Sequence, residues 1–556
     1  VLYNGYMTLF LRQHKVFAVL ILAWGAFFGG SVQAQTAFQW TNGSGNSAWR
    51  NTNNWDHFFF VDYPDASNER AVFSDGNFTG DQVISQGSGT ITLAKINFES
   101  TGKNVTINGP GTLTFHNTSA PGSQDIFFPS GSTGTLTINA DIFSTVNRTR
   151  FLNWSSSGAS LVVNGSIDNG GNEIILSTVG TTGGITVNGT ITGSGGLGMQ
   201  AQALNAAAAN LTAATTYTGT TDMRTGTLRL SGDATLGDGT GLLTFESMAG
   251  AQSTLELSNL NTTTIANPFN IRGLGFGSAG AVHVSAGDAI FSGDGTIAQY
   301  TVLNHPKLVV DSGATLGFTG SVTLSDTTTF EVEGAVSTSG SGAFSGTGNV
   351  SKTGSGSLTY SGGANTYSGT TTITAGSFVM NVTGGDSVVG SELIVNGGAS
   401  ATLSQSNQIG ASTNLRLTGG TFNTGGFDEV LGTLILQDSS NFDLGAGDSV
   451  IQFTDSSTES WTAGQTFLLL NWTGSLSGGG TDQVFFGNDS SGITGTQVGQ
   501  ITFRDPFGLD AGDYSAQILG TGEVVPVPEP STYAIIFGLV AGAYILWMRK
   551  KRAKAA

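Results

Sequence analysis

The side chains able to move protons or hold metals are few and scattered. The chain has five histidines, His14, His57, His116, His283 and His305, each in an unrelated context. No metal-binding pair and no Ser-His constellation can be assembled from them. Cysteine is absent, which removes disulfides and thiolate sites. Isolated acids such as Asp443, Asp448 and Asp455 read as turn or strand-edge residues. Two chemistries stay open. Carboxylates distant in sequence could meet on successive coils of a repetitive fold, as in polysaccharide lyases and hydrolases. Three or more Asp, Glu, Arg or Lys converging in one groove would favour such an enzyme, and scattered charges would favour a scaffold. Trp40, Trp49 and Trp55 lie among Asn, Gly and Ser, ahead of Asp62-Tyr63-Pro64-Asp65. Coplanar and exposed, they would form a carbohydrate-binding module. Buried, they would plug an open sheet end that could otherwise aggregate. The plug is the preferred reading, and no catalytic residue, cofactor or metal site is assigned.

Any such groups must be carried by short strands. Thr90-Ile91-Thr92-Leu93, Gly111-Thr112-Leu113-Thr114-Phe115, Leu161-Val162-Val163 and Gly184-Ile185-Thr186-Val187 are short β-prone runs, most of them alternating one apolar residue with Thr or Ser. That is the period of a strand buried on one face. Gly, Asn and Asp punctuate the runs, as turns with positive φ require. With 84 Gly, 10% charged residues and 38% hydrophobic residues, the composition fits neither a disordered chain nor a helical protein. A solenoid reconciles these facts, each coil contributing a few inward side chains and stacking on the next. Coils of about 22 residues at about 4.8 Å spacing would make a rod on the order of 100 Å long. A string of β-sandwiches is the competing fold.

The two ends carry topology. Arg12, His14 and Lys15 precede the apolar run Val16 to Phe28, and Ser31-Val32-Gln33-Ala34 offers small residues before a cut between Ala34 and Gln35. This is the order of a secretory signal, with a retained anchor as its alternative and Met7 as the expected translation start. At the other end Val527-Pro528-Glu529-Pro530 precedes the apolar stretch Ser531 to Met548. Arg549, Lys550, Lys551, Arg552 and Lys554 follow. Eighteen helical residues span roughly 27 Å, enough for a hydrocarbon core. The basic cluster would stay cytoplasmic and the body would lie outside. Net charge is −18, and with seven of the 20 basic residues at the termini the body is strongly acidic. Such a body repels phosphate backbones, so no nucleic-acid partner is expected.

This Pro-Glu-Pro, span and basic-cluster tail resembles the PEP-CTERM sorting signal of Gram-negative bacteria. The resemblance covers about the last thirty residues. It implies general secretion and signal peptidase at the N-terminus, then processing by an exosortase-type membrane peptidase. An inner-membrane intermediate would precede delivery to the cell surface or an exopolysaccharide matrix. A plain tail anchor is the alternative.

Within the body, Thr216-Tyr217-Thr218-Gly219-Thr220-Thr221 reappears as Thr366-Tyr367-Ser368-Gly369-Thr370-Thr371. Gly226-Thr227-Leu228 and Gly376-Ser377-Phe378 follow at the same spacing. Lys352-Thr353-Gly354 leads into the second copy only. These segments resemble the autotransporter-associated β-strand repeat, which implies a right-handed parallel β-helix. An autotransporter's membrane β-barrel has no counterpart here, where a single span is expected. The fold class is therefore all-β: a right-handed parallel β-helix or β-solenoid with capping regions, an N-terminal signal helix and one C-terminal transmembrane helix. The expected divisions are signal peptide 1–34, Trp-containing β cap 35–100 and solenoid 101–400 with repeats near 193–230 and 346–380. A C-terminal β region 401–525 and sorting tail 526–556, with its transmembrane helix at 531–548, complete the chain. The expected function is that of an exported, non-enzymatic structural or adhesive protein in contact with exopolysaccharide. A polysaccharide lyase or hydrolase on the same fold, or a carbohydrate-binding module, is the alternative.

Overall fold

The computed structural model describes residues 35–56, 62–116, 125–145, 148–203, 205–246, 252–299, 304–388, 390–528 and 532–553. The alternating runs form the expected strands, Thr90–Leu93, Thr112–Phe115, Ser160–Val163 and Gly184–Val187. Ile91, Leu93, Leu113, Phe115, Leu161, Val163, Ile185 and Val187 all point inward and are buried. These strands pair in parallel with the equivalent strand of the next coil. Ser160–Val163, for example, lies between Thr135–Ile138 and Gly184–Val187. One coil reads Ser160–Val163, Ile167–Asp168 and Glu173–Thr178, one strand on each of three faces. The chain is a β-solenoid of about 16 turns, not a string of sandwiches. At about 4.8 Å per turn its axis measures roughly 75 Å, shorter than the sequence estimate. Coil size matches the expectation, and the difference is that 16 turns take up fewer residues than the estimate allowed. Partners one coil apart are separated by 25 residues at Ser166 and Asp141, 24 at Asn188 and Asn164, 22 at Asn349 and Thr327, and 20 at Thr424 and Leu444.

The parallel ladder crosses residue 400 without a break, Ser400 pairing with Thr421 and Leu415 with Leu434. It ends at Ile501–Arg504, which pairs antiparallel with Asp513–Ile518, itself antiparallel to Val524–Pro526. Reversing strand direction closes the edge that a further coil would otherwise extend. A short helix, Gly495–Val498, sits just before this cap. Thr494 and Gln497 form its capping box, the S/T-x-x-Q signal that marks a helix start in sequence. The signal segment 1–34 lies outside the described residues. A helix, Thr532–Ala553, occupies the position expected of the C-terminal span. Among the described residues, no helix is long and apolar enough to cross a membrane.

The repeated hexapeptide has a physical meaning. Tyr217 and Tyr367 are fully buried, and each phenol shares a 2.6 Å hydrogen bond with a threonine hydroxyl four residues on, Thr221 and Thr371. The glycine between them lies against the preceding coil. A Cβ on Gly369 would sit 2.6 Å from both the Gly348 carbonyl carbon and the Asn349 amide oxygen. Gly226 and Gly376, at φ 87° and 68°, turn the corner that follows. Lys352 of the second copy is buried, its ammonium donating to the carbonyls of Thr353, Gly354 and Ala375 at 3.2, 2.8 and 3.0 Å. Burial pulls its pKa down to about 8.

Two outcomes follow from this packing. Gly369→Ala should destabilise the protein by about 1–3 kcal/mol through overpacking, whereas Gly102→Ala, where nothing lies within 4 Å, should change little. Denaturant melts of the two variants decide it, and equal melts would refute the close-approach argument. Lys352 holds its proton less tightly when folded than when unfolded. Its burial therefore costs stability at neutral pH, and that cost is relieved as pH rises from about 8 towards 10.5. Wild type should gain on Lys352→Met across that window, and a constant difference between the two would contradict the assignment.

Candidate functional site

The tryptophans of the N-terminal region do not form a sugar platform. Trp40 and Trp49 are completely buried and Trp55 is 4% exposed. Their rings meet edge to face, Trp40 on Trp55 at 5.0 Å and 77°, Trp49 on Trp55 at 4.8 Å and 62°. Each indole N–H is spent internally, on Gln82 Oε1, the Pro64 carbonyl and the Trp49 carbonyl. Trp40 ends the strand Thr36–Trp40, which pairs in parallel with Glu69–Phe73 and antiparallel with Trp55–Asp56. The cluster therefore closes the first coil, as the plug reading expects, and the carbohydrate-binding module built on it is withdrawn.

The histidines also stay apart. His283 pairs with Asp311 at 3.1 Å, His305 with Asp326 at 2.7 Å, and His116 shares a hydrogen bond with Thr145; His14 and His57 lie outside the described residues. Asp443 caps the turn at Gly445, and Asp455 the turn at Ser457. Of the sorting motif, Val527 donates to the Ser515 carbonyl and Pro528 is exposed, while Glu529 and Pro530 lie outside the described residues, as does Ala34. Gln35 is the first described residue. Arg549, Lys550 and Lys551 are exposed on the C-terminal helix, Lys551 over the Trp547 ring at 4.5 Å. The side chains of Arg552 and Lys554 are not among those described.

Charges do converge at one place that the sequence does not mark. On the outer face of one sheet, Glu173, Asp222, Arg224 and Glu246 line a groove of about 480 Å³, with the hydroxyls of Ser194 and Thr220 at its edge. The groove exists because Gly198 lies in the coil between. A Cβ there would come within 2.7 Å of both the Arg224 guanidinium and a Glu173 carboxylate oxygen. Arg224 Nη2 reaches down to Glu173 and pairs with Asp222 Oδ2 at 2.7 Å. Two acceptors on one nitrogen can be no more than about 5–6 Å apart. Arg148 binds the other Glu173 oxygen at 3.0 Å, and Arg150 reaches Gln200. Burial, opposed by Arg224 and reinforced by Glu246 and Glu173, pushes the Asp222 carboxyl up to about 6. Four charged side chains thus converge in one groove, the arrangement expected to favour an enzyme over a scaffold.

A second groove of about 400 Å³, near Gln452, Asp455 and Asp489, is different in kind. Its two aspartates accept from the turn residues Ser457 and Ser491, and those bonds hold both carboxyls low. Behind it, Glu429 is 1% exposed and accepts from the Gln408 and Val430 amides at 2.6 and 3.1 Å, burial pushing its carboxyl up to about 7.

Both raised carboxyls bind their protons more tightly folded than unfolded. Their stabilising share is therefore fully present below the unfolded values and lost as pH rises through about 6 for Asp222 and about 7 for Glu429. Asp222→Asn and Glu429→Gln should each lose less stability than wild type as pH rises from about 4 to 7. Denaturant titrations across that range test it, and parallel curves would show that neither group titrates as described.

No family model, no curated protein and no solved structure matches this chain, so its functional reading rests on these residues.

Proposed function

We propose that the chain is an exported, surface-sorted structural rod, a right-handed coil whose long polar faces contact exopolysaccharide. The observation that carries this is the long parallel ladder with a cap against each end. The Trp plug covers the first coil and the antiparallel strands Asp513–Ile518 and Val524–Pro526 cover the last. A fold whose stability comes from stacking, with a cap against each end, suits a stiff extracellular element. The exposed Pro528 leads from that cap to the proposed sorting segment, with Ser531 to Met548 as membrane span and Arg549, Lys550, Lys551, Arg552 and Lys554 on the cytoplasmic side. The proposed partners are the secretion machinery and signal peptidase, then an exosortase-type peptidase.

The charged groove supports a second reading, a glycan-binding site on the rod. Hydrolysis is the weaker form of it. The two carboxylates that would act as acid and nucleophile are both tied to one guanidinium nitrogen, which holds them as partners of an ion pair.

Intact-mass measurement on surface, membrane and medium fractions, with and without the host's sorting peptidase, tests the main reading. A species running from near Gln35 to near Val527, absent when the peptidase is removed, is expected. A species that keeps Ser531 to Ala556 in both strains would make the tail a plain anchor and end the matrix role.

A further inference from the structure

The cap at the C-terminal end of the solenoid presents an aromatic side chain to solvent. Among the described residues most large apolar side chains of the ladder are buried, yet Phe507 is 73% exposed. It sits in the turn Asp505 to Gly512, between the strands Ile501–Arg504 and Asp513–Ile518. The turn is firmly held. Asp505 and Gly512 exchange hydrogen bonds at 2.9 and 2.8 Å, and the Phe507 N–H donates to the Trp472 carbonyl at 3.0 Å. The Tyr514 hydroxyl donates to the Asp510 carbonyl at 2.8 Å. Pro506 is buried and Leu509 half-buried against the cap, while Phe507 stands clear of it. Strand register places this turn beside the outgoing chain. Ile518 pairs with Val524 and Ala516 with Pro526, so the last strand runs towards Asp513, and the Val527 N–H donates to the Ser515 carbonyl. The exposed Pro528 therefore leaves the cap at the end from which the turn projects.

We propose that the Phe507 turn rests on the lipid surface, a second contact that seats the cap against the bilayer while the tail is uncleaved. The inference rests on the reading above that a membrane span begins at Ser531. Four residue steps separate Val527 from Ser531, at most about 14 Å of extended chain. The headgroup layer takes up roughly 5–8 Å of that length. The end of the cap that carries both Pro528 and Phe507 is therefore held within about 10 Å of the headgroups. A phenyl ring set between headgroups and acyl chains leaves water, as the apolar residues of interfacial segments do. Charge chooses among lipids. Arg504 pairs with Asp513 at 2.8 Å, which leaves Asp505 and Asp510 as the excess charges of the turn. An anionic headgroup would repel them, and the outward ammonium of a choline or ethanolamine headgroup would not.

The test uses the full chain reconstituted in phosphatidylcholine vesicles that include a lipid with a nitroxide at its headgroup. The chain has no cysteine, so a single introduced cysteine carries a unique fluorophore. Ala511→Cys reports on the turn, and Leu260→Cys, 90% exposed and many coils away, is the control. Quenching at Ala511→Cys is expected to exceed the control by about threefold or more. Adding Phe507→Ser, a change at an exposed position, should return it to the control value with the chain still bound to the vesicles. Replacing part of the lipid with phosphatidylglycerol should lower it. Equal quenching at the two positions on vesicle-bound chain, or undiminished quenching with Phe507→Ser, would overturn the contact and leave the span in place. Quenching that appears only with the sorting peptidase in the vesicle would give the turn to the peptidase and overturn the lipid contact. A chain that does not stay with the vesicles would overturn the span and this contact together.

Discussion

The constraint behind every other feature is the spacing between coils. Parallel strands stack at about 4.8 Å, so whatever occupies a position in one coil lies almost in contact with its equivalent in the next. Inside, this favours aromatic columns. Phe291, Phe318, Phe344, Tyr360 and Phe378 follow one another at centroid distances of 5.8, 5.7, 5.5 and 5.0 Å. At the corners it leaves no room for a side chain. Gly241 meets the Gly219 carbonyl and Gly390 the Gly369 carbonyl, so glycine stacks on glycine down the coil. The abundance of glycine is thus a packing requirement as much as a matter of turn geometry.

On the outer turns the same spacing selects side chains that can hydrogen-bond to a copy of themselves. Asn139 donates to Asn108, Asn164 to Asn139 and Asn188 to Asn164 at 2.5, 2.7 and 2.8 Å, and Thr212 closes the run on Asn188. An amide carries both donor and acceptor, so each rung satisfies the next without water. The Asn-Gly pairs at 108, 164 and 188 are the visible trace of this column. Glycine leaves room for the neighbouring coil, and asparagine makes the ladder.

These consequences show what could be read from the sequence and what could not. Strand positions were legible because alternation is local: Ile91 and Leu93 sit two residues apart and both face inward. The repeat was legible because Tyr and Thr four residues apart recur with the same glycine between. The number of turns was not, because nothing in the alternation marks where regular stacking gives way to the end regions. The short helix at Gly495 was announced only by Thr494 and Gln497, a signal too small to stand out among so many threonines. The groove was not legible at all. Glu173 and Arg224 are 51 residues apart, and they meet only because Gly198 in the intervening coil lets one reach across to the other.

Stacking also explains why charge is scarce and why its exceptions matter. A charged residue repeated at one column position would face its own sign within about 5 Å, a repulsion of about 1 kcal/mol in water and several times that at a partly buried site. The coil avoids this by filling its columns with Thr, Ser and Asn and by pairing opposite signs across rungs. Arg148 stands beside Glu173, and Arg229 beside Glu256, in direct register. The cluster of Glu173, Asp222 and Glu246 follows the same rule in part, since Arg148 and Arg224 meet Glu173 and Arg224 also meets Asp222. Asp222 and Glu246 lie on adjacent coils, beside Met223 and Phe245 in the same pair of strands. Threonine fits that column without strain, as Thr244 shows directly opposite Asp222. The carboxylates are therefore not required by packing, and it is the guanidinium of Arg224, shared between two coils, that lets them stand together.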